Sequence, residues 1–195
     1  MSDTGSRQER RRRPPKPLDS ARLEELALRY VARFSTTAAK LERYLRRKLR
    51  ERGWDGEGEP QVERTVERYV ELGYVDDEAF ARMKSGGLLR RGYGERRVRQ
   101  ALGEAGIGED LRERVRPGGG EARRAALTLA RRRRFGPFGA GPLGTGPLDR
   151  ALREKQIAAM LRAGHPLDSA RQIVDAASVA EAEQWAAEAD DDEEL

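Results

Sequence analysis

Few residues in this chain can carry chemistry, and the type that recurs is arginine. The single histidine, His165, follows Gly164 at what reads as the end of a helix, where a packing residue is usual, and there is no cysteine. One imidazole and no thiol remove nearly all ligands of the common zinc sites, every disulfide and every cysteine nucleophile. Ser–His–acid chemistry would depend on this one ring near an unidentified serine, and no plausible pairing stands out. No Gly-rich turn lies between a strand pattern and a helix, as a phosphate cradle requires; Gly118 to Gly120, after Pro117, predict a linker. Asp76 with Asp77, and Glu24 with Glu25, stand where first helical turns begin, so capping and the macrodipole account for them. The expectation is a non-enzymatic protein with no cofactor and no metal.

What remains is binding. Arg90, Arg91, Arg96, Arg97 and Arg99 surround Tyr93, itself flanked by Gly92 and Gly94. Guanidinium groups bracketing an aromatic ring on a turn suit phosphates, stacking or acidic side chains. The same residues also fit a solvated charged face with the tyrosine packed as a hinge. Arg43, Arg46, Arg47 and Arg50 form a second basic stripe with the same two readings. Arg131 to Arg134 close a helix, where cations also complement the macrodipole.

The formal net charge of +5 and a sequence pI near 9.8 point to a polyanionic partner, either nucleic acid or an acidic protein groove. Asp190, Asp191, Asp192, Glu193 and Glu194 gather at the end, so the body is more basic than the total. Arginine far outnumbers lysine, which suits bidentate contacts and is equally consistent with codon bias. No apolar run approaches a membrane span, and the basic start leads into Pro14, Pro15 and Pro17 rather than a signal core. A cytoplasmic monomer without membrane contact is expected.

These side chains must be positioned by helices, because strict alternation and β-branched clusters are missing. Leu23, Leu26, Ala27, Tyr30, Val31 and Phe34 make one helical stripe. Leu41, Tyr44, Leu45 and Leu49 make a second, stopped by Gly53. A third opens at Pro60, turns Val62, Val66, Tyr69 and Val70 inward, and closes at Gly73. The pattern restarts at Asp76 with Phe80, Met83 and Leu88, weakened by Gly86 and Gly87. It continues through Val98, Ala101, Leu102 and Ala105 to Gly106, then through Leu111 and Val115 to Pro117. A last round shows Ala122 to Ala130, a Gly/Pro-rich insertion, Leu152 to Leu161 before Gly164, a helix from Asp168 or Ser169, and a capping box of Ser178 and Glu181.

Gly53, Gly106 and Gly164 recur at intervals of roughly fifty residues, each after a 4-spaced apolar helix, which reads as tandem repeats. The predicted fold is all-α: three tandem three-helix repeats in an elongated, curved array. The boundaries are a disordered basic arm at 1–17, repeats at 18–75, 76–117 and 118–189, the third carrying the insertion at 135–147, and an acidic tail at 190–195.

The run from Leu89 through Arg90, Arg91, Gly92, Tyr93, Gly94, Glu95, Arg96 and Arg97 to Leu102, with Ala105, Gly106 and Ile107, resembles the central repeat of RecX proteins. Upstream, Glu71-Leu72-Gly73-Tyr74-Val75-Asp76-Asp77-Glu78-Ala79-Phe80-Ala81 resembles that family's junction between its first two repeats. The resemblance extends from about Leu23 to Trp185. It implies a regulator lodged in the groove of the RecA–DNA filament, affecting DNA repair and the SOS response and usually inhibiting strand exchange, ATP hydrolysis and co-protease activity. Carried over by position, Arg90, Arg91, Tyr93, Gly94, Arg96 and Arg97 are the leading contacts, with RecA and possibly single- and double-stranded DNA phosphates as partners. The competing reading is a helix-turn-helix transcription factor, for which no helix pairs a basic half with Asn/Gln base-reading positions.

Overall fold

The structure, a computed structural model, describes residues 16–139 and 149–191. The arm at 1–15, positions 140–147 of the insertion and the tail from 192 lie outside the described residues. Those described form ten α-helices and one 3₁₀ turn, with no strand. They fall into two compact units: one of residues up to 34 together with 41–74, the other of 35–40 together with everything from 75 onward.

In the first unit, α1 (Ser20–Arg33) starts where the Asp19 carboxylate accepts the Arg22 N–H at 2.8 Å. Helix α2 (Ala38–Arg52), of which the part from Leu41 belongs to this unit, stops at Gly53, and α3 (Val62–Glu71) is followed by Gly73. Leu18, Leu23, Ala27, Leu41, Leu45, Val62 and Val66 are buried together with Tyr69, whose hydroxyl donates to the Glu24 carbonyl. Helix α3 begins two residues after Pro60, because the Val62 N–H turns back to the Pro60 carbonyl. Two inward expectations are corrected here: Val70 is 45% exposed, and Phe34 lies past the end of α1 in extended backbone, 49% exposed.

The second unit contains α4 (Asp77–Leu89), α5 (Glu95–Glu104), α6 (Glu109–Arg114), α7 (Gly119–Arg133), α8 (Arg150–Arg162), α9 (Leu167–Val174) and α10 (Val179–Asp191). Phe80, Leu88, Val98, Leu102, Ile107 and Ala125 form one buried cluster; Ala126, Ala130, Met160, Ile173 and Ala186 are among those that form another. Helix α7 serves both, since Ala125 and Ala126 point about 100° apart on a helix. Its small side chains let helices approach on either side. The 35–40 segment is tied in by Thr37, whose buried hydroxyl donates to the Ala105 carbonyl at 2.6 Å and accepts the Lys40 N–H at 3.2 Å.

Several expectations are revised in this unit. Gly119 and Gly120, expected in a linker, form the first turn of α7 with Gly118 as its cap. Helix α4 runs unbroken through Gly86 and Gly87, and it turns Met83 outward while burying Ala81 and Ser85. Helix α9 begins at Leu167, after Pro166. Part of the insertion is ordered: Gly136–Phe138 make the 3₁₀ turn, and Phe135 and Phe138 pack on the second cluster. The capping box at Ser178 and Glu181 is present, the hydroxyl accepting the Glu181 N–H and the carboxylate accepting the Ala177 N–H.

Candidate functional site

The arginine-rich turn between α4 and α5 is built by a Schellman closure. The Gly92 N–H donates to the Leu89 carbonyl and the Tyr93 N–H to the Leu88 carbonyl, with Gly92 at φ +83°. Gly94 then caps α5 in extended backbone. The end of α8 repeats the device: the Gly164 N–H donates to Leu161 and the His165 N–H to Met160, with Gly164 at φ +99°. The two turns interlock. The Gly94 N–H donates to the Ala163 carbonyl at 3.0 Å, the Arg96 N–H to Gly164 at 3.2 Å, and His165 Nε2 lies 3.0 Å from the Gly92 oxygen.

His165 is 3% exposed, and burial pushes its imidazole below the usual pKa, against the pull of the Gly92 carbonyl. The neutral ring donates through Nε2–H. With its donor committed to a backbone oxygen, the ring ties the two turns together. Among the described residues no group of three or more His, Cys, Asp or Glu is placed to hold a metal ion.

On the other side of this turn an open groove of about 450 Å³ is lined by Lys40, Lys84, Leu88, Arg91, Tyr93, Arg97, Ala101, Glu104 and Ala105. Lys84 and Leu88 are spaced i, i+4 on α4, Arg91 leaves from the turn just past its end, and Arg97, Ala101 and Glu104 are spaced i, i+4, i+7 on α5. Arg91 donates to the Gly87 carbonyl at 3.0 Å and sits 5.9 Å from the Tyr93 ring centre; Tyr93 is 37% exposed. The Lys40 ammonium lies 4.4 Å from the Phe80 ring centre. Arg97 donates to the Gln100 side chain at 3.0 Å. Among the described residues no carboxylate oxygen lies within 4.0 Å of the Lys84, Arg91 or Arg97 head group.

The remaining arginines of the motif do not line this groove. Arg96 faces away, donating to the Leu161 carbonyl at the end of α8. Arg99 is paired with Glu109, and Arg90 caps α4 on the surface. Gly94 is buried, with no side chain to present. In the first unit Arg46 is held by Glu42 and Glu63, whose hydrogen bond and charge raise its pKa. Arg47 reaches Glu51 at 3.5 Å, and Arg43 and Arg50 are exposed. Sequence reasoning passed over Lys84, although it lies one turn before the buried Leu88 on α4, and Lys40, which only packing of the 35–40 segment brings to the groove.

Residues 76–115 match the family model described as the RecX second three-helix domain. The regulatory protein RecX of Myxococcus xanthus is 32% identical over 177 residues, covering 87% of this chain and 92% of that protein. RecX of Deinococcus radiodurans is 41% identical over 101 residues, which is 52% of this chain and 47% of that one. The crystal structure of RecX from Lactobacillus salivarius superposes with a TM-score of 0.60 at 17% identity, over 80% of this chain and 94% of that one, and so shares the fold.

Proposed function

Because the chain belongs to the RecX family of regulatory proteins, we propose that it binds the RecA–DNA filament and restrains RecA strand exchange, ATP hydrolysis and co-protease activity, with no catalysis of its own. It acts as a monomer in the cytoplasm; no described helix is long and apolar enough to cross a membrane. In this reading 18–75, 76–117 and 118–189 serve as three repeats, and the contact surface is the groove between α4 and α5.

One observation supports that choice of surface over Arg46, Arg47 and Arg99. Lys84, Arg91 and Arg97 line one concavity without a carboxylate partner, whereas Arg46, Arg47 and Arg99 already have one. A paired cation gives up one partner to take another, so its net gain on binding is small. A cation without a carboxylate partner has no ion pair to give up when it takes a charge-assisted contact. The occupant is an acidic side chain of the filament groove or a DNA phosphate.

The test is single-stranded-DNA-dependent ATP hydrolysis by cognate RecA, with the wild type and an Arg91→Ala/Arg97→Ala variant added at increasing ratios. Inhibition by the wild type that is weakened on the order of a hundredfold or more in the variant is expected, since two charged contacts of about 1.5–3 kcal/mol each are removed. Absence of inhibition by the wild type at any ratio refutes the reading. Equal inhibition by both refutes the groove.

A further inference from the structure

The interlocked turns tie four backbone groups of the Arg91 to Arg96 segment to residues far along the chain. The Arg91 carbonyl accepts from the Arg132 guanidinium at 2.6 Å, and the Gly92 carbonyl accepts from His165 Nε2–H at 3.0 Å. The next N–H groups, of Gly94 and Arg96, donate to Ala163 and Gly164. The Arg91 and Tyr93 side chains that line the groove leave from the backbone held in this way. Neither Arg132 nor His165 lines the groove.

We propose that Arg132 and His165 are positioning residues: by holding the Arg91 and Gly92 carbonyls they fix the direction in which Arg91 and Tyr93 enter the groove, so the α7–α8 region sets binding strength without touching the occupant. The physical reason is the isolation of the turn. Gly92 and Gly94 have no side chains to hold it, and the Schellman bonds fix its internal shape but leave its tilt against α5 open. Two donors arriving from different elements remove that freedom in advance, so the ordering is not left to the binding step. Arg132 is exposed and His165 buried, so the same clamp can be opened from the surface or from within.

The inference rests on the groove being the filament contact, and the experiment separates the two claims. Amide hydrogen exchange is followed at Gly94 and Arg96 in the full chain, beside the affinity of each variant for RecA filaments on single-stranded DNA. Arg132→Ala and His165→Ala are expected to speed exchange at those two amides by about tenfold each, the size of one lost hydrogen bond, and to weaken filament binding several-fold with helix content unchanged. His165→Gln, whose amide nitrogen can replace Nε2–H, is expected to restore both. Unchanged exchange in Arg132→Ala, a surface variant that leaves both clusters intact, overturns the clamp even if His165→Ala fails to fold. Faster exchange with full filament binding overturns the positioning role. A wild type that shows protected amides but does not bind filaments overturns the functional reading and leaves the clamp standing.

Discussion

Replacing Gly94 with alanine isolates the close approach on which the site depends. Its backbone, at φ −83° and ψ 171°, is one that alanine adopts without strain. Loss of a flexible residue from the unfolded chain would therefore favour alanine by about 0.4–1 kcal/mol. The opposing effect is steric: a Cβ there would lie 2.4 Å from the Gly164 carbonyl carbon and oxygen and 2.5 Å from the His165 nitrogen. These are backbone atoms and cannot rotate aside, so the two turns must separate by about 1 Å to reach ordinary contact. Overpacking of that kind costs about 1–3 kcal/mol. The separation also lengthens the Gly94–Ala163 and His165–Gly92 hydrogen bonds, each worth about 0.5–1.5 kcal/mol. After the unfolded-state gain, a net loss of about 1–5 kcal/mol is expected. Gly87→Ala is the control: in α4 its Cβ meets nothing within 4 Å, and alanine is favoured there by about 0.5–1 kcal/mol. Urea denaturation followed by circular dichroism orders the three proteins, with Gly94→Ala below wild type and Gly87→Ala above it. A Gly94→Ala midpoint equal to wild type would refute the interlocked geometry.

Arg99→Ala should leave RecA inhibition unchanged and stability within about 1 kcal/mol, because it removes an exposed ion pair with Glu109; a loss of inhibition in the ATPase assay would move the contact surface onto that face. Stability should depend on pH through His165. The buried ring titrates below its usual value and the unfolded chain does not, so between the lowered value and about 6.5 the unfolded state binds more protons. Urea midpoints are therefore expected to fall as pH drops from about 6.5, to stay level above it, and to lose that slope in His165→Gln. Leu102→Ala, at a position 1% exposed in the α4–α6 cluster, should cost about 2–5 kcal/mol by thermal denaturation. If the groove takes DNA phosphates, affinity for a single-stranded oligonucleotide should fall with salt at a log–log slope near −0.7 per contact, and Arg91→Ala/Arg97→Ala should reduce the slope by about 1.4; an unchanged slope assigns the groove to acidic side chains.

The all-helical fold was readable in advance because its signals are local. Apolar residues at three- and four-residue spacing, carboxylates before first turns and glycines after last turns act within one or two turns of chain. That is why α1, α2, α5 and the Ser178 box emerge close to where they were expected. The misreadings are equally physical. Met83 and Val70 keep the helical spacing but are about half exposed, since a stripe wider than the surface it meets leaves its margin in solvent. Gly119 and Gly120 have poor helix propensity, which packing of α7 against α10 and α9 overrides.

Which arginines are available was decided by pairing across elements, and this lay beyond any local pattern. Arg91, Arg96, Arg97 and Arg99 look alike along the chain, yet Glu109 takes one, the Leu161 carbonyl takes another, and the groove keeps two. His165 likewise read as a packing residue beside a glycine; that it holds the Gly92 carbonyl 73 positions away follows from two Schellman turns meeting face to face. Helix periods, caps and stops are written in neighbouring residues, because the forces that set them act over a few ångströms along the backbone. The partner of a long, exposed guanidinium is chosen among all the oxygens that folding brings within its reach, and that choice exists only once the helices have packed.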